Sequence, residues 1–399
     1  MAELLSVPDK LALVYQPNSY VRRGPPETCI QVVTQYRTAG FATELMLVRA
    51  RTSLPAGLAV SEALPRFLSR APWKVVRAVG IKRLDRQFIR RLRQLDPANT
   101  IVDVWPGWPS PIIAEARRLG FTIVRTMINS ACALSKTILD EAYRRHGLPP
   151  THDVTERLVR AETEELQQYD YIFSPSAEVD RSLAMIGIPE TRVIHSSFGW
   201  NPARFAASEP AAKPEGRLRF LFVGSVGVRK GVPELLEAWR RAALPDAELL
   251  IIGNVESSYD ELFRANLPAG VEHMPFSMNI GGFYKSADVF VFPSLEEGAP
   301  QVVYEAAGCG AAILTTPMGQ ARMIEADVNG LVVPPADVDA LAEAMRRLAN
   351  DRPLLARLKR AAAESAKDFE YPVVGDRRAA VMRALLERRT ADERVAVGA

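Results

Sequence analysis

The sequence predicts an α/β protein built from two doubly wound halves, and three observations carry that prediction. Short apolar, β-rich runs alternate with stretches of helical length. The alternation stops near residue 200 and restarts near residue 218, and loops rich in glycine or proline sit where strands end. In the first half, residues 11–15 read as the opening strand, followed by a loop through Gly24-Pro25-Pro26, a helix over 27–37 and a second strand over 43–48. Residues 100–105 and 121–125 read as further strands flanking a helix over 112–119, and 171–173 leads into Ser174-Pro175-Ser176 in the same manner. The second half repeats the scheme with a strand over 218–223, a glycine loop, a helix over 232–243, and strands over 248–252 and 287–293. Such alternation implies parallel strands with helices on both faces. The boundary is placed at Phe198-Gly199-Trp200-Asn201-Pro202, giving domains over 1–199 and 200–370, with 206–216 as the surface entry to the second. A third segment over 371–399 is expected to carry a last helix, over 375–389 after Tyr371-Pro372. No internal repeat is evident, and the final ten residues read as frayed.

Composition narrows the class. With 399 residues, 48% of them apolar and only 24% charged, the chain can bury two sizeable cores. The apolar runs break well short of the ~18 residues a membrane-spanning helix needs, and the first ten residues lack the apolar block of a signal peptide. A cytoplasmic location is the expectation. Cys29, Cys132 and Cys309 are far apart and odd in number, which points to reduced thiols rather than a disulfide framework or a zinc site. A net charge of +3 argues against a general nucleic-acid binder.

The stretch that names a chemistry is Ser294-Leu295-Glu296-Glu297-Gly298-Ala299-Pro300-Gln301-Val302-Val303-Tyr304-Glu305. It follows a buried strand and enters a helix read over 302–307, with Pro300 suited to the first turn and Gly308 and Gly310 to the stop. Glu297 then stands at the mouth of a strand-loop-helix unit and Glu305 about two turns into the helix. Free helix N–H groups and the helix dipole suit phosphate oxygens, whereas carboxylates accept from hydroxyls, so the pattern fits an anion that carries a sugar. Two glutamates eight apart also occur on solvated helices, and the spacing alone assigns nothing. A second candidate is Gly224-Ser225-Val226-Gly227-Val228-Arg229-Lys230-Gly231, where small residues let the backbone approach a phosphate and Lys230 can neutralise it. Its bland reading is a tight turn with a solvated Arg-Lys pair.

Residues 287–335 resemble the donor-binding half of family-4 retaining glycosyltransferases of the GT-B fold. The proline-serine, the acidic-glycine turn, the helical glutamate, Gly308-Cys309-Gly310, Gly319 and Asn329-Gly330-Leu331-Val332-Val333-Pro334 come in the family's order. The resemblance implies GT-B architecture, two Rossmann-like domains facing a cleft, with the last helix crossing back to the first domain. It implies a nucleotide-sugar donor, UDP- or GDP-linked, with Glu305 on the ribose, Glu297 on the donor sugar, and Lys230 with Arg229 on the diphosphate. Gly224 and Ser225 would lie beside the diphosphate, and the amides of Gly298, Ala299, Pro300, Gln301 and Val302 mark the remainder of the anion site, proline itself supplying no N–H. Catalysis would follow internal return, in which the donor phosphate takes the acceptor proton. The chain departs from the family in three places. Ser225 replaces an arginine, the neighbourhood of a donor-touching histidine is Met127-Ile128-Asn129-Ser130 with Asn129 in the contact position, and a Gly-Gly in the first loop is replaced by Arg22-Arg23-Gly24. Those arginines can face an anionic acceptor or water, and water is the reading favoured.

Metal is not expected. Asp337-Val338-Asp339 has the look of a divalent-ion chelate but follows Pro334-Pro335 and opens a helix, where acidic residues cap. His146, His152, His195 and His273 do not cluster. Residues 73–95 carry eight basic side chains against Asp85 alone, with Leu84, Phe88, Leu92 and Leu95 on one helical face, so this helix can lie on anionic lipid or simply pack on its own sheet. The reading is a retaining, metal-independent glycosyltransferase with no cofactor beyond its donor. Its acceptor would be a glycan, a lipid-linked group or a small-molecule hydroxyl, with possible peripheral contact at the inner membrane face. A non-catalytic nucleotide-sugar-binding homologue with a regulatory or partner role is the alternative. A GT-B epimerase and a dinucleotide dehydrogenase fit less well, the latter because no G-x-G-x-x-G follows the first strand.

Overall fold

The computed structural model describes residues 9–68, 71–107 and 111–397. Two wholly parallel sheets form among them. The first holds β1 (Lys10–Tyr20), β2 (Phe41–Ala50), β3 (Ala59–Glu62), β4 (Thr100–Val104), β5 (Thr122–Thr126), β6 (Tyr171–Ser174) and β7 (Val193–His195), in the order β3-β2-β1-β4-β5-β6-β7. The second holds β8 (Leu218–Val223), β9 (Ala247–Ile252), β10 (Val271–Met274), β11 (Val289–Phe292), β12 (Ala312–Thr315) and β13 (Gly330–Val332), in the order β10-β9-β8-β11-β12-β13. Helices α1 (Gly24–Val33), α2 (Trp73–Leu92), α3 (Ile112–Arg118), α4 (Cys132–Arg145), α5 (Glu156–Leu166) and α6 (Ala177–Met185) cover the first sheet. The second is covered by α7 (Val232–Ala242), α8 (Asp260–Ala265), α9 (Ile280–Ser286), α10 (Gln301–Gly308), α11 (Val338–Asn350) and α12 (Arg352–Lys367), and α13 (Tyr371–Val397) returns to the first domain. This is the GT-B arrangement.

Five of the interior strands, β4, β5, β9, β11 and β12, are buried along their whole length. Helices on both faces leave such strands no solvent side, so apolar residues dominate them and the charges they do carry, Asp103, Arg125 and Glu248, are buried. Strand order reverses between β1 and β4 in one sheet and between β8 and β11 in the other. In open α/β sheets ligands lodge beyond the carboxyl ends of the strands at such a switch point. Both switch points open on the cleft between the domains.

Element ends differ from the sequence reading in ways with local causes. α1 starts at Gly24 rather than 27, because Pro25 and Pro26 fall where a helix needs no N–H donor. It stops at Val33, where Thr34 Oγ1 turns back to the Ile30 carbonyl at 2.9 Å and the chain tightens into a 3-10 turn over Tyr36–Ala39. Pro300 is the N-cap of α10, at φ −70° and ψ 117°, rather than a first-turn residue, so Glu305 stands just over one turn in. α13 begins at Tyr371 and runs through the segment expected to fray, as far as Val397. Residues 398–399 lie outside the described residues, as do 1–8, most of the segment read for a signal peptide. Short β3, β7, β10, β12 and β13, three or four residues each, gave too little pattern to be read.

α13 is fastened to the first domain by a buried ion pair. Arg378 Nη2 meets Asp103 Oδ1 at 2.9 Å, with side chains 2% and 0% exposed. Asp103 also accepts from Tyr36 Oη at 2.9 Å, Trp105 Nε1 at 3.2 Å and Thr126 Oγ1 at 3.3 Å, and the Arg378 guanidinium lies 3.9 Å from the Phe173 ring centre. The crossing itself is made at Trp200, whose backbone exchanges hydrogen bonds with Phe369 and Tyr371 at 3.0 Å each.

Candidate active site in the interdomain cleft

Two loops at the second sheet's switch point build the site. The loop after β8 carries Gly224 to Gly231, and the loop after β11 carries Pro293 to Pro300. They are stitched together by Leu295 N to Arg229 O at 2.9 Å and Ser294 Oγ to Arg229 O at 3.3 Å. Gly231 is required here. Its φ is +67°, and a Cβ would stand 2.1 Å from the Pro293 carbonyl oxygen.

That stitching places two cations against two carboxylates. Lys230 Nζ pairs with Glu297 Oε1, and Arg229 Nη2 lies 3.4 Å from Glu297 Oε2 while its Nε lies 3.0 Å from Glu296 Oε2. Ser294 Oγ adds a 3.0 Å hydrogen bond to Glu297 Oε1, and the Phe292 ring lies 5.3 Å below Lys230 Nζ. Burial pushes the Glu297 carboxyl up, but the charges of Lys230 and Arg229 outweigh it and hold the group below the usual carboxylate range. The same burial holds Lys230 below its ordinary value despite Glu297.

Glu305 sits apart from this cluster, on α10, with Arg204 Nη1 at 3.0 Å and Tyr284 Oη at 3.1 Å. Burial raises its carboxyl, opposed by Arg204 and by the Tyr284 hydrogen bond. Its oxygens face a cavity of about 350 Å³ that also meets Val223, Gly224, Ser225 and Val302. A neighbouring cavity of about 440 Å³ shares the last four and is bounded by Arg229, Lys230, Glu297, Ala299, Pro300, Gln301 and, from the first domain, Asn129. The structure therefore places every residue singled out for donor binding around these two adjoining cavities except Gly298, which serves a different end. A Cβ on Gly298 would lie 2.0 Å from the Ile128 carbonyl oxygen, so this glycine lets the two domains touch. Ser225, in the arginine position, turns to Glu256 at 3.1 Å instead of to the cations.

The cleft is bridged at several points. Ser130 Oγ and Ser135 Oγ reach Glu296 Oε1 at 2.7 and 3.0 Å, Arg322 grips Asp180 at 2.6 Å, Gln301 Nε2 reaches Thr28 Oγ1 at 2.9 Å, and His146 Nε2 meets Glu234 Oε1 at 2.9 Å. Sequence reading missed Ser130, Ser135, Glu296, Arg204 and Tyr284. Only Glu296 offered a signal, as a second acid beside Glu297.

The remaining candidates have structural partners. Asp337 accepts from Ala340 N at 2.9 Å as the cap of α11, and Asp339 pairs with Arg241 at 2.8 Å. The other histidines engage Asp140, Asp180 and the Gly253 carbonyl. All three cysteines are free thiols. In α2 the apolar face of Leu84, Phe88 and Leu92 packs into the core, with Leu95 beside it, which leaves that face unavailable to lipid. What α2 exposes is another set, Val75 at 71% and Val79 at 57%, beside exposed Lys74, Arg77 and Lys82, and Phe67, upstream in the chain, is 81% exposed. Among the described residues no helix is long and apolar enough to cross a membrane.

The comparisons bear on the fold and on the second domain. The chain aligns over 95% of its length with sucrose-phosphate synthase from Thermosynechococcus elongatus, covering all of that chain at a TM-score of 0.73 and 17% identity. It aligns over 94% with Anabaena HepE in complex with UDP-glucose, covering 99% of that chain at a TM-score of 0.64 and 13% identity. The fold is that of the GT-B glycosyltransferases. Residues 217–351, the second domain with both site loops, match the family described as glycosyl transferases group 1. Over 220 residues the chain is 28% identical to a putative colanic acid biosynthesis glycosyltransferase, WcaL, of Escherichia coli K12, an alignment over 51% of this chain and 54% of that protein. The chain spans about half the length of the curated relatives it matches.

Proposed function

We propose that this protein is a retaining glycosyltransferase that moves a sugar from a UDP- or GDP-linked donor to an acceptor hydroxyl without a metal ion. The observation that carries the reading is the placement of Arg229, Lys230 and Glu297 in one cavity and Glu305 in the adjoining one, at the switch point of a group 1 domain. Glu305 would accept from the ribose hydroxyls. Lys230 and Arg229 would exchange their carboxylate partners for the donor diphosphate, and the open N–H groups at the start of α10 would add to that field. Glu297, released from Lys230, would accept from the donor sugar, and Asn129 would contact the sugar from the other wall. The acceptor hydroxyl then attacks the anomeric carbon on the face the diphosphate leaves. Its proton passes to the departing phosphate oxygen as the carbon–phosphate oxygen bond breaks and the new glycosidic bond forms. Closure of the bridged cleft on its donor would exclude water that would otherwise hydrolyse it.

A panel of nucleotide-sugars tested for thermal stabilisation, then for transfer and donor hydrolysis, checks this. One nucleotide should raise the melting temperature by mass action, and its sugar should be turned over. Stabilisation without turnover would favour the non-catalytic binder, and no stabilisation by any of them would retire the reading. Peripheral contact with an anionic bilayer is proposed for the exposed Phe67, Val75 and Val79 with their basic neighbours. Val75→Asp with Val79→Asp should abolish sedimentation with phosphatidylglycerol vesicles.

A further inference from the structure

The first domain's side of the cleft holds a cavity of about 1110 Å³ that the donor does not account for. Gly24, Pro25, Ile128, Asn129 and Arg229 line both this cavity and the donor cavity, so the two are continuous. Its distinctive feature is charge. Arg23, Arg49, Arg51 and Arg125 line it from the first domain.

Two of these arginines are built into the wall. Arg125, on β5, is 4% exposed, its Nε has no hydrogen-bond partner among the described residues, and its guanidinium lies 5.8 Å from the Tyr169 ring centre. Arg49, at the end of β2, is fully buried and held in place by Ser19 Oγ at 3.0 Å and by the Leu68 and Ala71 carbonyls at 3.1 and 2.7 Å. Arg23 and Arg51 are exposed at the rim, and neither makes an ion pair among the described residues. The carboxylates that line the cavity are Asp153, Glu162 and Glu296. Glu296 is matched by Arg229, and Glu162 accepts from the Cys132 amide at 2.5 Å. Cationic charge is thus in excess, and guanidinium groups suit the paired oxygens of a phosphate.

We propose that this cavity is the acceptor subsite and that the acceptor carries a phosphate group, gripped at the β2 end by Arg49 in the wall and by Arg23 and Arg51 at the rim, with Arg125, three strands away on β5, adding positive charge along the rest of the wall. The proposal rests on the glycosyltransferase reading for what the bound molecule does, but not for whether it binds. A phosphate fixed there turns the remainder of the acceptor toward Asn129 and Arg229, where the two cavities join. The phosphate itself is not transferred.

The test is thermal stabilisation by inorganic phosphate, with and without a saturating amount of the nucleoside diphosphate chosen by the donor panel, which fills the other anion site. Phosphate should raise the melting temperature further when the diphosphate is already bound. Arg23→Glu with Arg51→Glu, both at exposed positions, should weaken phosphate binding about tenfold or more and leave diphosphate binding intact. Sedimentation with phosphatidic acid vesicles, against phosphatidylcholine alone, separates the sources. Binding of free phosphate indicates a water-soluble acceptor, and binding of phosphatidic acid vesicles alone, lost in the double variant, indicates a lipid-linked one. Phosphate binding that vanishes once the diphosphate is bound, or that persists in the double variant, overturns the proposal, as does failure of both sources. If no nucleotide binds but phosphate does through Arg23 and Arg51, the donor reading fails and the anion subsite stands.

Discussion

Ser130 in the first domain donates to Glu296 in the second at 2.7 Å, joining the two walls of the cleft through a carboxylate that is 2% exposed. Ser135 shares the same oxygen. Hydrogen bonds to a charged acceptor are worth roughly 1.5–3 kcal/mol, enough to shift a two-state opening equilibrium by an order of magnitude or more. Replacing both serines with alanine should open the donor-free protein, seen as a larger radius of gyration by small-angle scattering. Saturating donor should bring it back. Identical profiles for variant and parent would show that these bonds do not hold the cleft.

Glu305→Ala should weaken free nucleotide and nucleotide-sugar alike, by about tenfold or more, because both present the same ribose hydroxyls. Glu297→Ala should spare the free nucleotide and cut turnover, its proposed partner being the sugar. Calorimetric titration of both variants with both ligands separates the roles, and equal loss in Glu297→Ala would put that residue on the nucleotide.

Nucleotide affinity should fall on mild acidification. Burial raises Glu305 above its ordinary value of 4.5, so this acceptor takes up its proton at a higher pH than an exposed glutamate, while Glu297 is held below that value and stays ionised. The loss should therefore track Glu305 and vanish from the pH profile of Glu305→Gln, whose residual binding stays flat. A profile unchanged by that substitution would assign the titration elsewhere.

Turnover should survive a chelator, since Arg229, Lys230 and the start of α10 supply positive potential where other transferases use a divalent ion. Assay in EDTA, with and without added magnesium or manganese, decides. Loss restored by either ion would mean that the cations of the two loops are insufficient.

Arg378→Ala should destabilise the protein by about 3–5 kcal/mol, the usual cost of stranding one member of a buried ion pair. Urea unfolding measures it. Asp103→Asn with Arg378→Met removes both charges and should recover much of the loss, whereas equal damage in single and double variants would trace the effect to packing against Phe173 and Trp105.

What the sequence made legible is local in the chain. Glu297 and Glu305 share one strand-loop-helix unit, and Arg229 and Lys230 share another, so spacing and resemblance together reach them. Ser130 and Glu296 are 166 positions apart, and nothing in either neighbourhood announces the other. Arg125 reads as one more residue of a buried strand, because the pattern that marks β5 does not show that a cation in it borders a cavity. The basic helix was half legible. Its periodic face is the one buried in the core, and Val75 and Val79, which stay outside, break no pattern.

The clasp between Asp103 and Arg378 also sets an order of assembly. Asp103 leaves the ribosome 275 residues before its cation does, an interval on the order of tens of seconds at usual rates of synthesis. Until then the first domain carries a carboxylate in its core with only neutral donors around it, and its surface lacks the helix that covers it. The domain made first is thus the domain finished last. Truncations that remove the final helix should release nascent chains whose first half is prone to aggregate, although every strand of its sheet is present.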